Sequence, residues 1–334
     1  MITVANFGSE KAKLYRLTNE QGMVLTVSNF GARIVDISLP IAGEGMRSVS
    51  LSADSDQAYL DKDFYVGSSV VPIAGRISGA ETFIKGQVYH FTENEPGRTL
   101  HSGTDTANMD YWQTQVDEEE NQVVFSYLLS DGKNGFPGNV QVQAIFQLTE
   151  ENEVFVRYLA QSDKDTIFNP TCHVYFNLSG DFSQDVSQHR FTIDAESYVP
   201  LADNLPTGEI ANVVGTPFDF RQGSYLAQGL AGQCPQTDAA GGYDHPWLLH
   251  EGSAEQVEVL SPDERVRLTL KTNQPAVIIY TYNHGPTDMC RKHGVFSLEC
   301  QGLPDACNMV GFGSILLEKD QEFLSETRYR FEWK

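Results

Sequence analysis

The chain has 334 residues, 40% hydrophobic and 11% aromatic, which supplies a sizeable core and excludes a disordered chain. Its 45 acidic residues outnumber 23 basic ones for a formal charge of −22. Such a surface repels phosphate backbones and anionic lipid, so nucleic acid and membrane are poor partners and an uncharged small molecule is the better expectation.

The opening stretch, MITVANFGSEKAKLYRL, has no long apolar region of the secretory kind. No apolar run approaches the ~20 residues that span a bilayer. A cytoplasmic location is therefore expected. KLYRL (13–17) and MVLTVS (23–28) flank Gln21-Gly22 and predict a hairpin. VQVQAIFQL (140–148) and VFVRYLA (154–160) predict a second, around the polar turn 149–153. VRLTL (266–270), AVIIYTYN (276–283) and YRFEW (329–333) continue the strand pattern. DGKNGFPG (131–138), GQCPQTDAAGG (232–242) and the acidic EEEN (118–121) read as turns between strands. Almost no stretch keeps apolar residues at helical spacing for more than two turns. The pattern crosses the midpoint without linker, repeat or shift in composition. It predicts an all-β chain, one large β-sandwich over residues 1–334 rather than two domains.

Five stretches hold polar residues that the strand pattern does not require. In VVPIAGRISGAETF (70–83), Gly75 permits close backbone approach and Arg76 offers five donors, to hydroxyls of a ligand or to loop carbonyls. RTLHSG (98–103) puts His101 before a Ser-Gly turn. In NPTCHVYFNLSG (169–180), alternation along a strand puts His173, Tyr175 and Asn177 on one face and Val174, Phe176 and Leu178 on the other. In GGYDHPWLL (241–249), Asp244 and His245 point to opposite faces, so one of them meets a cleft, with Trp247 nearby as an aromatic for a C–H surface. In VFSLECQGLPDACN (295–308), Glu299 ends an apolar strand, where a charge is costly to bury unless paired. No GxSxG, HExxH, phosphate-binding loop or dinucleotide fingerprint occurs. The eight histidines never form HxH or HxxxH, and the five cysteines, odd in number, form no CxxC pair. Reduced thiols and no metal site are expected.

Taken in order, NFGARIVDI (29–37), AGRI (74–77), LHSG (100–103), HVYFNLSG (173–180), GYDH (242–245), LECQ (298–301) and PDACN (304–308) resemble the aldose 1-epimerase (galactose mutarotase) family over nearly the whole chain. The resemblance implies a large antiparallel β-sandwich with an open cleft on one sheet. It implies Glu299 as general base and His173 as general acid. His101 would hydrogen-bond the sugar near its ring oxygen, Asp244 would accept from sugar hydroxyls, and Arg76 would donate to them. Tyr175 and Asn177 would join His173 on the cleft floor. The chain departs from the family pattern at Ser102, where members read glycine, at Pro72, where they carry an arginine, and at Cys300. Where some members apply a glutamine to the sugar, AVIIYT offers Ile278 and Ile279.

The implied reaction interconverts the α and β anomers of a free hexose such as galactose or glucose. O1 loses a proton as the ring oxygen gains one, so a carboxylate and a protonated imidazole suffice and no cofactor is expected. The expected partner is a small aldohexose, with a homodimer allowed for. The rival readings are a hexose-6-phosphate 1-epimerase of the same fold, which needs a cationic pocket; a glycoside hydrolase using Asp244 and Glu299; and a carbohydrate-binding module without catalysis.

Overall fold

In a computed structural model of the protein, every residue is described except 63, 64, 231 and 233. Three large antiparallel sheets organise it. A five-stranded meander runs in chain order from Ile2–Phe7 to Gly45–Ser48. A nine-stranded sheet has Glu153–Ser162 and Val266–Thr272 on either side of the long C-terminal strand Glu322–Trp333. The third sheet carries the chemistry. Its order is Tyr175–Phe176, Phe296–Gln301, Ala276–Tyr280, Asp244–Leu248, Ser197–Tyr198, Ala211–Asn212.

Both predicted hairpins form, with Thr18 opposite Val24 and Leu148 opposite Val154. The predicted strand 276–283 stops at Tyr280, because Tyr282 takes a left-handed φ of +48° that no ladder accommodates. Within the predicted loop 232–242, whose residue 233 lies outside the described residues, Pro235–Ala240 is a short helix. Proline at its start and left-handed Gly241 at its end account for it. No helix among the described residues is long and apolar enough to cross a membrane.

Side-chain alternation divides the six-stranded sheet into a core face and a cavity face. Phe296, Leu298 and Cys300 join Val277, Ile279 and Phe176 in the main core, together with Phe125, Phe146 and Phe331 of the nine-stranded sheet. The two sheets are tied directly, since Tyr329 OH donates to the Leu298 carbonyl at 3.2 Å and its ring packs on Phe176. Ser297, Glu299 and Gln301 lie on the other face and are buried as well.

Arg33, in the NFGARIVDI stretch, is fully buried. Its guanidinium donates to the carbonyls of Phe30 (2.7 Å), Val66 (3.0 Å) and Asn108 (2.9 Å) and lies 4.0 Å from the Tyr59 ring centroid. It thus gathers three segments under His173, whose carbonyl accepts from Gly67 N at 2.9 Å. Gly67 itself admits no side chain, because a Cβ there would lie 1.9 Å from the Ile34 carbonyl oxygen. Arg33→Met should leave three buried carbonyls without a donor and lower unfolding free energy by about 3 kcal/mol, measured by urea denaturation.

Candidate active site

A cavity of about 480 Å³ opens on the polar face of the six-stranded sheet. Its walls include Arg76, His101, His173, Tyr175, Asp244 and Glu299. Glu299 is not at a strand end, as the sequence suggested, but inside Phe296–Gln301, directly opposite Ile278. Only 4% of it is exposed. A charge so placed needs partners, and it has two: Ser297 Oγ donates to Oε1 at 2.8 Å, and His173 Nε2 approaches the same oxygen at 3.4 Å.

His173 lies between two short strands, Thr171–Cys172 and Tyr175–Phe176, rather than within one continuous strand. Its backbone bridges to the neighbouring segment, with N donating to Ser68 O at 2.9 Å. The ring is wedged edge-on between Tyr175 (4.9 Å) and His101 (5.3 Å). Nδ1 is buried without a hydrogen-bond partner among the described residues, so Nε2, toward Glu299, is the nitrogen the protein engages.

His101 is held differently. Its Nδ1 accepts from Gly75 N at 3.1 Å, and its backbone N–H donates to Gly75 O at 2.9 Å. Burial, helped by the neighbouring His173 and Arg76 charges, pushes its pKa well below the usual histidine value. With Nδ1 an acceptor and the ring neutral, the proton sits on Nε2, and the ring is a fixed donor. Gly75 has φ +79°, and a Cβ there would press on Pro304 at 3.1 Å, which is why the chain has glycine at this close approach.

Arg76 donates to both oxygens of Glu95, through Nε at 2.8 Å and an Nη at 3.1 Å, and its other Nη lies 3.5 Å from Asp244 Oδ2. Asp305, in PDACN, accepts from Ser78 N at 3.1 Å and so steadies the Arg76–Ser78 strand. Burial pushes the Asp244 carboxyl up to about 7, against the pull of Arg76. Its neighbour His245 points the other way, into the aromatic cluster of Tyr198 and Phe218, and burial drives it down to about 3.

Six residues singled out from the sequence, Arg76, His101, His173, Tyr175, Asp244 and Glu299, thus meet at one cavity. Two do not. Asn177 is fully buried away from it, donating to the carbonyls of Asp181, Gln184 and Gly294. Trp247 is a core residue whose Nε1 donates to Phe218 O. Sequence reasoning passed over Ser297, Gln301 and Glu95. The first two were legible as the polar alternates of FSLECQ, whereas Glu95 sits in the loop TENEPG with no periodic signal. Among the described residues no three His, Cys, Asp or Glu side chains gather as a metal site.

The profile of the aldose 1-epimerase family matches residues 13–330. The chain is 31% identical over 332 residues to aldose 1-epimerase of Escherichia coli K12, covering 96% of this chain and 95% of that one. It is 32% identical to galactose mutarotase of Rattus norvegicus, with 97% and 95% covered. The crystal structure of galactose 1-epimerase from Lactobacillus acidophilus superposes with a TM-score of 0.89 at 28% identity, over 100% of this chain and 99% of that one.

The Ser102 departure has a local cause. Its φ is +72°, a strained value for a residue with a Cβ, yet its Oγ accepts from Ile73 N and donates to Ile73 O, both at 2.8 Å. Ser102→Ala should keep the strain and lose both bonds, lowering stability by about 2 kcal/mol, whereas Ser102→Gly should cost about 1 kcal/mol because it relieves the strain; chemical denaturation would rank them.

Proposed function

The chain belongs to the aldose 1-epimerase family, and from that premise we propose that it interconverts the anomers of a free aldohexose, with Glu299 as general base and His173 as general acid. The observation that carries the reading is the 3.4 Å approach of His173 Nε2 to Glu299 Oε1 at the wall of one cavity. In ring opening, Glu299 takes the proton of O1, the C1–O5 bond breaks as the C1=O1 double bond forms, and His173 gives its proton to O5. Rotation about C1–C2 presents the other face of the aldehyde. Closure then runs both transfers backward. Two assisted proton transfers, each worth roughly 10²–10⁴-fold, supply the acceleration. Neutral His101 donates to the sugar through Nε2–H, and Arg76 and Asp244 hold its hydroxyls as donor and acceptor.

The cavity's charge favours a neutral sugar over a 6-phosphate. Arg76 is already engaged by Glu95 and Asp244, and Glu299 adds a third carboxylate against it. Lys62 at the rim is the other cation. A phosphate dianion needs cations with free donors, and of these two Arg76 is already spoken for.

Polarimetry of freshly dissolved α-galactose should show catalysed mutarotation. Glu299→Gln and His173→Asn should each lose about 10²-fold or more of it while keeping a native circular-dichroism spectrum. Wild-type rates in both would overturn the assignment. A second test uses Asp244, whose carboxyl lies near 7. Below that pH it is protonated and a weaker acceptor, so KM for galactose should fall as pH rises from 6 to 8, and Asp244→Asn should flatten the trend. His101, held neutral throughout, should contribute nothing to it.

A further inference from the structure

Two residues before Glu299, on the same face of the strand, Ser297 is fully buried and donates its hydroxyl to Glu299 Oε1 at 2.8 Å. Its Oγ makes no other hydrogen bond among the described residues, so its one proton is committed to the carboxylate. Glu299 Oε2 makes no hydrogen bond among the described residues, and the residue directly across the ladder, Ile278, has no donor to offer it. The terminal torsion of a glutamate is soft and roughly two-fold, so without a fixed partner the carboxylate plane would wander. Ser297 also faces Tyr175 in the adjacent strand, whose ring packs on His173 at 4.9 Å. One register therefore sets the serine under the carboxylate and the tyrosine against the imidazole.

We infer that Ser297 is a positioning residue for the catalytic carboxylate: its hydroxyl, with His173, occupies Oε1 and turns Oε2 toward the substrate as the atom that accepts the O1 proton. The inference rests on the reading of Glu299 as the base. In ring opening the O1–H proton goes to Oε2, the C1–O5 electron pair goes to O5, and O5 takes the proton of His173 Nε2. Closure returns the first proton from Oε2 to O1 and the second from O5 to Nε2.

The alternative is that Ser297 is only a small residue filling space beside Tyr175. Steady-state polarimetry of Ser297→Ala and Ser297→Thr across pH separates the two. Ser297→Ala should lower kcat about 10-fold with KM for galactose little changed. Its kcat–pH profile should have the acid limb moved up by about one unit, because a hydrogen bond that favours the ionised carboxylate is gone. Ser297→Thr, which keeps the hydroxyl, should return both toward wild type. Melting temperatures check that each variant is folded. An acid limb unmoved in folded Ser297→Ala, whatever its rate, overturns the inference. Glu299→Gln keeps the two failures apart: if it retains the wild-type rate, the base itself is misassigned, and if it is inactive while the limb of Ser297→Ala stays put, only the positioning role falls.

Discussion

The site depends on a carboxylate held in the interior of a buried strand. Taking such a charge out of water costs several kcal/mol unless hydrogen bonds replace the lost solvation. Glu299 meets that demand through Ser297 and His173, both of which reach Oε1. The precision comes from behind. Phe296, Leu298 and Cys300 are locked in the core, and Tyr329 of the nine-stranded sheet bonds the Leu298 carbonyl. The backbone that carries the carboxylate cannot shift without dragging a close-packed interior with it. Packing energy is converted into positional accuracy at the cavity.

Charge is arranged with similar economy. From the cavity outward the order is Asp244, Arg76, Glu95, Arg98, Asp203, alternating in sign, each contact at 3.5 Å or closer. Arg76 is gripped in a two-point fork by Glu95, which fixes its plane, so little conformational freedom remains to be lost when a ligand arrives. Burial still outweighs the guanidinium at Asp244, whose carboxyl sits near 7. His245, one residue on and facing the core, is driven toward its neutral form by the same force. Strand alternation thus separates two adjacent titratable groups into a cavity role and a packing role.

The strand-rich class and both hairpins, 13–28 and 140–160, were legible because period-two patterning and turn residues act locally. Convergence of the site residues was not legible from periodicity; it rested on the order of short motifs that resemble one family. Both errors concern parity, carried too far for Asn177 and left unapplied for Trp247. Asn177 was counted onto the face of His173 along a single strand, but the chain leaves the ladder after Phe176 and the asparagine side chain is spent on turn carbonyls. Trp247 lies three positions from Asp244, an odd separation that sends it to the opposite face, where it joins the core. The same rule, applied to FSLECQ, would have marked Ser297 and Gln301 as companions of Glu299. Glu95 had no such signal, because loops carry no period.

The distances between His173, Glu299 and Arg76 need a common reference, since they come from separate stretches of chain. Asn169 supplies one. Its side chain exchanges two hydrogen bonds with Gly302, accepting from N at 2.7 Å and donating to O at 3.0 Å, just beyond the strand of Glu299. Its backbone donates to Pro72 O at 2.7 Å and accepts from Ala74 N at 2.8 Å, two residues before Arg76. Four residues further along the chain lies His173. Each such bond is worth about 1 kcal/mol net, modest for stability. Their value is geometric: three cavity-lining segments are measured from one buried asparagine, so His173 and Glu299, from distant parts of the sequence, can be kept within a contact distance of each other.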